Sequence, residues 1–489
     1  MTKRSVAILL AAVMILALVG CGKQRREPIQ LTLSTEDAEA ILAAAGIMLP
    51  DAETAAGANS VVKYFCWHDY LQNYSDDEII NTGYFTFQQK YGGSVKWIET
   101  TYADKNNDLA NLVLAGTSPD CGVTGTSNFA CFPMDCINNM YQPIDQWIDY
   151  TDPLWADMAS ASEYFSLGDK HFAIVTDLTY KDVITYNRRV MDEWGFDDPA
   201  ELYANDEWTW DVYYEMCMDF SDGDENRYAL DGWYVVNSLV EESTGITLIA
   251  KDETGKFYSN LDDPIIEVAE NMIYDLVKND CCYHEGNDYW ANRNEAVYGS
   301  GIKDGKCLFY PCDRDDGFRL PVEEMNNIWG DVEAGEFMFC PLPRYQNGDG
   351  KYYLNAMPKG YMVIQGAENP EGVALLAACE RFKILDPTVV SIDERQLKET
   401  YKWTEEMLEM NRTCNAIVAA EPIMFYTGNL PQKMQDIYNT FDWNIRRSGA
   451  SQTWAQLKEA NRDSFEYYID ELNALIEEYA TTGKASITE

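Results

Sequence analysis

With 489 residues, 46% hydrophobic content and 13 tryptophans, the chain has enough material for two substantial lobes and does not read as a disordered polymer. Its formal charge of −44 argues against a nucleic-acid partner or direct adhesion to anionic lipid. Both need clustered Lys and Arg, whereas here 37 basic residues face 81 acidic ones. The plainest reading of that charge is a solvated acidic surface on an exported protein.

The chain opens with Lys3 and Arg4, followed by an uncharged apolar run from Ser5 to Val19. That run is shorter than the roughly 20 residues a membrane-spanning helix needs. A basic start, a short apolar core and small residues at its end form a secretory signal. The sequence Leu18-Val19-Gly20-Cys21 resembles the lipobox of bacterial lipoprotein precursors. The resemblance implies that Cys21 carries a diacylglycerol and becomes the first mature residue. Two acyl chains are what stable anchoring requires. The alternatives are an ordinary signal with a chance cysteine, or a short anchor. Residues 1–21 are therefore read as signal and lipobox, and residues 22–59 as a flexible tether. A short helix is expected over 34–45, with no core for it to join.

Beyond the tether, Ser60–Trp67 (SVVKYFCW) is β-branched and apolar and predicts a first buried strand. A helix over 76–91 and a strand within YGGSVKWIET (91–100) follow. Residues 106–115 form an amphipathic helix stopped by Gly116. Pro119-Asp120 then leads into a strand at Cys121. This alternation predicts an α/β fold with mostly parallel sheets flanked by helices. Apolar residues at 265, 266, 268, 269, 272, 273, 276 and 277 make a helical stripe, and 371–385 repeats the pattern. NGDG at 347–350 is a hairpin-type turn, and Thr453–Tyr479 is a long helix or helical pair. No second apolar run of spanning length occurs.

Cysteine is abundant, with 13 residues. Export would permit disulfides, yet Cys281-Cys282 are adjacent and no CxxC pair exists. With only His68, His171 and His284, no Cys/His zinc site of common spacing is visible, and no metal or cofactor is expected. Buried free thiols acting as small hydrophobes are the simpler reading.

Four stretches together resemble one family. They are LANLVLAGTSPDCGVT (109–124), MYQPIDQWIDYTDPLW (140–155), ITYNRRVMDEWGFDDPAELYANDEWTWDVYYEM (184–216), and a block from GKCLFYPCDRDD (305–316) through FCPLPRY to MPKGYMVIQGAENPEGVALLAACERF. Their order and spacing are similar to those of the extracellular solute-binding proteins of ABC importers, in the carbohydrate-binding group that includes maltose-binding protein. The resemblance spans about residues 60 to 480. It implies a two-lobed periplasmic-binding-protein-like fold with a multi-segment hinge. Lobe 1 would be 60–178 with 308–355, and lobe 2 would be 179–307 with 356–489. Hinges are expected near 176–184, 306–312 and 354–360. It also implies a monomeric, lipid-anchored receptor on the outer face of the cytoplasmic membrane of a Gram-positive-type bacterium. Such a receptor captures a carbohydrate by hinge closure and hands it to ABC permease subunits.

Ligand-binding candidates belong on loops at the carboxyl ends of strands. Trp67, His68 and Asp69 follow the first strand. An indole offers a flat face to pyranose C–H groups, and a carboxylate accepts hydroxyl hydrogen bonds. Asp120 and Thr124 flank a later strand, with Asp120 also able simply to hold its own turn. Trp233, in DGWY (231–234), is the aromatic candidate of the second lobe. Tyr310, Asp313 and Arg314 fall where the family places a ligand-facing aromatic, although the family's aromatic itself is replaced here by Cys312-Asp313. Trp208 and Trp210 read as packing residues, and Trp290 and Trp443 are candidates by residue type alone.

Rival readings keep the fold with a peptide or polyamine cargo, or make the chain a surface glycan-binding module or hydrolase without a transport role. Glycoside hydrolysis needs two carboxylates at set separation, and 81 acidic residues make such a pair uninformative. No G-x-S-x-G, Walker or H-E-x-x-H stretch appears. SDGDENRYALDGW (221–233) fails as a calcium loop, with Arg227 and Trp233 at positions that need Gly and Glu.

Overall fold

A computed structural model describes residues 35–51, 61–69, 82–124, 131–231, 242–282, 302–312, 314–426, 429–446 and 451–483. The strands in chain order are β1 (Val61–Cys66), β2 (Ser94–Glu99), β3 (Cys121–Thr124), β4 (Ser166–Leu167), β5 (Lys170–His171), β6 (Ala173–Tyr180), β7 (Val183–Asn187), β8 (Tyr228–Leu230), β9 (Ile249–Lys251), β10 (Phe257–Ser259), β11 (Cys307–Cys312), β12 (Phe337–Cys340) and β13 (Ala356–Val363). They form a five-stranded sheet in the order β2-β1-β3-β13-β6 and a four-stranded sheet in the order β12-β7-β11-β8, with two small hairpins.

Side-chain alternation explains how the first sheet is covered. On β1, Val62, Tyr64 and Cys66 enter one apolar cluster while Phe65 enters another, as a period of two requires. The first cluster is closed by helices Gly83–Tyr91 and Pro370–Ile384, which touch so closely that a Cβ at Gly83 would lie 2.2 Å from the Glu380 Cα. In the second sheet β7, β11 and β12 are buried along their whole lengths. Continuous apolar runs such as VITYN and FMFC suit a strand covered on both faces.

The pairing is mixed rather than mostly parallel. β1 runs parallel to β2 and β3, and β8 to β11. β13 is antiparallel to both neighbours, and β7 is antiparallel to β11 and β12. Strand pairing also exchanges two segments of the expected lobes. β11 and β12, expected in the first, hydrogen-bond to β7 and β8 in the second, whereas β13 pairs with β3 and β6 in the first. The sheet-to-sheet crossings are therefore β6 to β7, with only Lys181 and Asp182 between them, and β12 to β13. The expected hinge at 306–312 is instead β11, an interior strand.

Part of the expected tether is packed. Helix Thr35–Ala44 buries Ala38 and Leu42 and lies against helix Pro387–Glu399. Ile47 and Leu49 join the cluster on the first sheet, and the Tyr91 hydroxyl donates to the Pro50 carbonyl. A few well-placed apolar residues were enough to dock an Ala-rich segment. The signal and lipobox lie outside the described residues, and no described helix is long and apolar enough to cross a membrane. NGDG turns the chain, but the strands around it belong to different sheets.

Two C-terminal helices bind the halves together. Glu405–Ala420 packs on both β6 and β12, and its Asn411 accepts a 2.8 Å hydrogen bond from Tyr180. Trp454–Thr482 begins with a capping box at Thr453 and Gln456. It is about 43 Å long at 1.5 Å per residue. One end joins Phe441 and Glu267, and the other reaches Phe172.

Candidate functional site

The register of the two sheets fixes which strand ends lie beside the crossings. β1, β2 and β3 point the same way, so residues after Cys66, Glu99 and Thr124 emerge at one edge of the first sheet. Gly360 pairs with Thr124 and Ala356 with Tyr180, which brings the start of β13 and the end of β6 to that edge. Across the crossing, Val183 pairs with Cys312 and Ile184 with Cys340, while β8 runs parallel to β11. The ends of β8 and β11 therefore emerge at the edge of the second sheet next to the crossing. Strand ends of both sheets therefore lie on the side of the crossing, and the space between them, called the gap below, is the usual location for ligands of open α/β sheets.

At the first edge, Trp67 is half-buried, His68 exposed and Asp69 half-buried. The Tyr64 hydroxyl donates to Asp69 Oδ1 and fixes that carboxylate. The Trp67 ring meets Tyr102 edge-on, with centroids 5.3 Å apart and planes at 90°. Lys105 Nζ lies 3.5 Å from the Tyr102 centroid and 5.3 Å from that of Trp67. Tyr102 is 61% exposed. Tyr102 and Lys105 follow β2 as Trp67 follows β1, and sequence reasoning missed them. The available signal was the strand end at Glu99, which predicts a cleft-facing loop at TTYADK.

Four other candidates stand differently. Asp120 is fully buried and accepts backbone N–H bonds from Lys63 (2.7 Å), Glu368 (2.9 Å) and Asn369 (2.9 Å). These three donors make the carboxylate a clamp between β1 and the β13 connection, and it stands before β3, at the end opposite Thr124. Tyr310 is 2% exposed within β11 and packs edge-on against Trp329 at 5.5 Å. It is a core residue, because every side chain of β11 is buried. Arg314 starts the short helix Arg314–Gly317 directly beyond β11, half-buried at the second edge. Thr124 closes β3, its backbone paired with Gly360. Trp233, Asp313, Trp290 and the side chains of Thr124 and Trp443 lie outside the described residues.

The floor between the sheets carries charge. Lys181 Nζ lies 2.9 Å from Asp182 Oδ2 and 3.6 Å from Glu242 Oε1, and Asn355 Nδ2 donates to Glu242 at 3.1 Å. The Lys181 amide donates to the Asn355 carbonyl at 2.8 Å, tying one crossing to the other. Close by, Gly360 sits at a bulge in β13, where a Cβ would come within 1.9 Å of the Ile174 carbonyl oxygen. Only glycine fits that approach.

The remaining polar and sulfur groups are structural. Trp208 Nε1 donates to the Pro341 carbonyl at 2.9 Å, and Trp210 Nε1 to the Pro343 carbonyl at 3.0 Å, both rings being buried. The twelve described cysteines are free thiols, and all but half-buried Cys131 are buried. Burial pushes thiols such as Cys121 and Cys217 well above the ordinary range, so they stay protonated and inert. Among the described residues no group of three or more His, Cys, Asp or Glu could hold a metal ion.

No protein-family profile matches the chain. No curated protein matches it either. Solved structures do. The GacH receptor of Streptomyces glaucescens, determined unliganded and with acarbose, aligns over 84% of this chain and 99% of its own at 14% identity and a TM-score of 0.57. An extracellular solute-binding protein from Staphylococcus aureus in complex with maltose aligns over 85% and 98%, at 11% identity and a TM-score of 0.56. The galacto-N-biose/lacto-N-biose I-binding protein of a Bifidobacterium longum ABC transporter aligns over 84% and 98%, at 13% identity and a TM-score of 0.56. The fold is thus the two-domain, periplasmic-binding-protein-like one, over most of this chain and nearly all of each of those.

Proposed function

We propose that this chain is the extracellular solute-binding receptor of an ABC importer, and that it captures a sugar or oligosaccharide between its two lobes. The observation that carries the reading is the register. It opens the strand ends of two sheets on one gap and sets Trp67, Tyr102 and Asp69 at one side of it. Solved proteins of the same fold are described with acarbose, maltose and lacto-N-biose. An aromatic face beside a fixed carboxylate suits a pyranose, which has an apolar face and a hydroxyl rim.

The mechanism follows from the crossings. A ligand that touches both strand-end edges does so fully only when the lobes approach, so binding shifts the population toward the closed form. The Lys181–Asp182–Glu242–Asn355 floor is where the rotation is taken up. His68, Thr124, Trp233, Asp313 and Arg314 complete the walls in this reading. The closed form is what permease subunits recognise. The role is delivery and not catalysis.

Cys21 anchors the receptor at the outer face of the cytoplasmic membrane of a Gram-positive-type cell, where a binding protein without a periplasm needs a tether. The packed segment 35–51 shortens that tether to about residues 22–34. Replacing Cys21 by Ala should release the protein into the medium, and retention in the membrane fraction would contradict the anchor.

The direct test is a thermal-shift screen of the chain from residue 22 onward. It would set mono- and oligosaccharides against peptides, polyamines and metal salts. Saturable stabilisation by a saccharide class, without product formation, supports the receptor. Stabilisation by peptides or polyamines alone would keep the fold and replace the cargo, and glycan turnover would make the chain a hydrolase.

A further inference from the structure

The ammonium of Lys105 stands over two aromatic rings at the gap, with no acidic partner among the described residues. Its Nζ donates to the Tyr102 carbonyl at a long 3.4 Å, and no described carboxylate lies within ion-pair distance. In a chain with 81 acidic residues this requires an explanation, and the loop supplies one. The two carboxylates nearest in sequence are turned elsewhere: Asp104 accepts from Thr101 Oγ1 at 2.7 Å, and Asp108 from Thr100 Oγ1 at 2.7 Å. Asp69 is held by Tyr64. Among the described residues these three carboxylates thus each have a hydroxyl partner, and the lysine faces the rings.

We infer that Lys105 receives an anionic substituent of the saccharide, so that the cargo is an acidic glycan bearing a carboxylate or a sulfate. This deepens the receptor reading and rests on it. The half-buried ammonium has lost part of its hydration, and burial lowers its pKa, so the charged form gains most from an incoming anion. Contact with aromatic faces compensates the ammonium less than a charge-assisted hydrogen bond would. A ligand anion is therefore the stronger partner. Geometry assigns the parts: the exposed Tyr102 face and the Trp67 edge take the ring of one sugar unit, and Lys105 takes its acidic group. The net charge of −44 opposes any anion at long range. At physiological salt that field is screened beyond about 8 Å, and the local pair decides.

The test is calorimetric titration of the chain with matched saccharide pairs. They are galacturonate trisaccharide and its carboxyl-reduced counterpart, a glucuronate-bearing trisaccharide and its reduced form, and sulfated against unsulfated galacto-oligosaccharide. The acidic member of one pair should bind roughly ten- to a hundredfold more tightly. The pair that responds tells carboxylate from sulfate. In Lys105→Met that ratio should collapse to about one, and in Lys105→Arg it should persist, with both variants melting as the parent does. Equal binding of acidic and neutral members overturns the inference while leaving the receptor reading intact. A ratio that survives Lys105→Met overturns it too. Binding by no saccharide of either kind overturns the receptor reading and the inference with it.

Discussion

Trp208 and Trp67 are the same residue in two lobes, and they do opposite things. Trp208 is buried in the second lobe, with its indole N–H donating to the Pro341 carbonyl and its ring against Phe309. Trp67 stands half-buried at the end of β1, edge-on to an exposed tyrosine and beside a lysine. Place relative to a strand end, and not residue type, separates a packing indole from the one proposed as a ligand platform. Substitutions test that separation, here in order of expected loss of stability.

The bulge in β13 should be least tolerant. Gly360→Val puts a branched side chain where even a Cβ would come within 1.9 Å of the Ile174 carbonyl oxygen. A loss of about 3 kcal/mol or more, or no soluble protein, is expected from denaturant unfolding. Trp208→Ala comes next, at about 3–5 kcal/mol for a buried aromatic. Saccharide affinity of the folded fraction should be retained, because the ring is fully buried and offers no face to a ligand. Asp120→Ala strands three backbone donors and should cost about 2–3 kcal/mol in the same assay. A loss of binding without loss of stability would return Asp120 to the ligand site.

Glu380 gives a pH-dependent version of the contrast. Burial first, and the Asp177 charge further, push its carboxyl up to about 7, partly offset by a hydrogen bond from Tyr361. The folded state holds this proton up to about pH 7, whereas the unfolded chain releases it near the ordinary value of 4.5. Stability must therefore fall as pH rises between those values, with the penalty fully present above 7. Glu380→Gln should raise the melting temperature at pH 8 and leave it nearly unchanged at pH 4. Equal effects at both pH values would sink this assignment. The smallest structural effect belongs to Trp67→Ala. Its melting temperature should stay close to that of the parent, while saccharide affinity falls roughly tenfold or more, measured by titration.

Much of the fold was legible because apolar patterning records burial. Strand β1 and helices Pro264–Lys278, Pro370–Ile384 and Trp454–Thr482 lie within a few residues of where periodicity put them. The division into lobes was not legible. β11, β12 and β13 are all apolar, and nothing in CLFYPC or AMPKGYMV says which sheet will hydrogen-bond to it. The docking of helix Thr35–Ala44 was missed for a related reason, since Ala38 and Leu42 look insufficient until a partner surface exists. At the gap, Trp67 was visible because it directly ends an apolar run. Tyr102 and Lys105 were not, because a polar loop after an edge strand carries no periodicity. Tyr310 misled because its position was carried over from a resemblance, while the β-strand around it buries every side chain.

The central claim is closure of two lobes around a saccharide. Small-angle scattering of the chain, with and without the saccharide that stabilises it most, tests this directly. The account predicts a saturable decrease in radius of gyration that tracks binding. Saturable binding with an unchanged radius of gyration would contradict it.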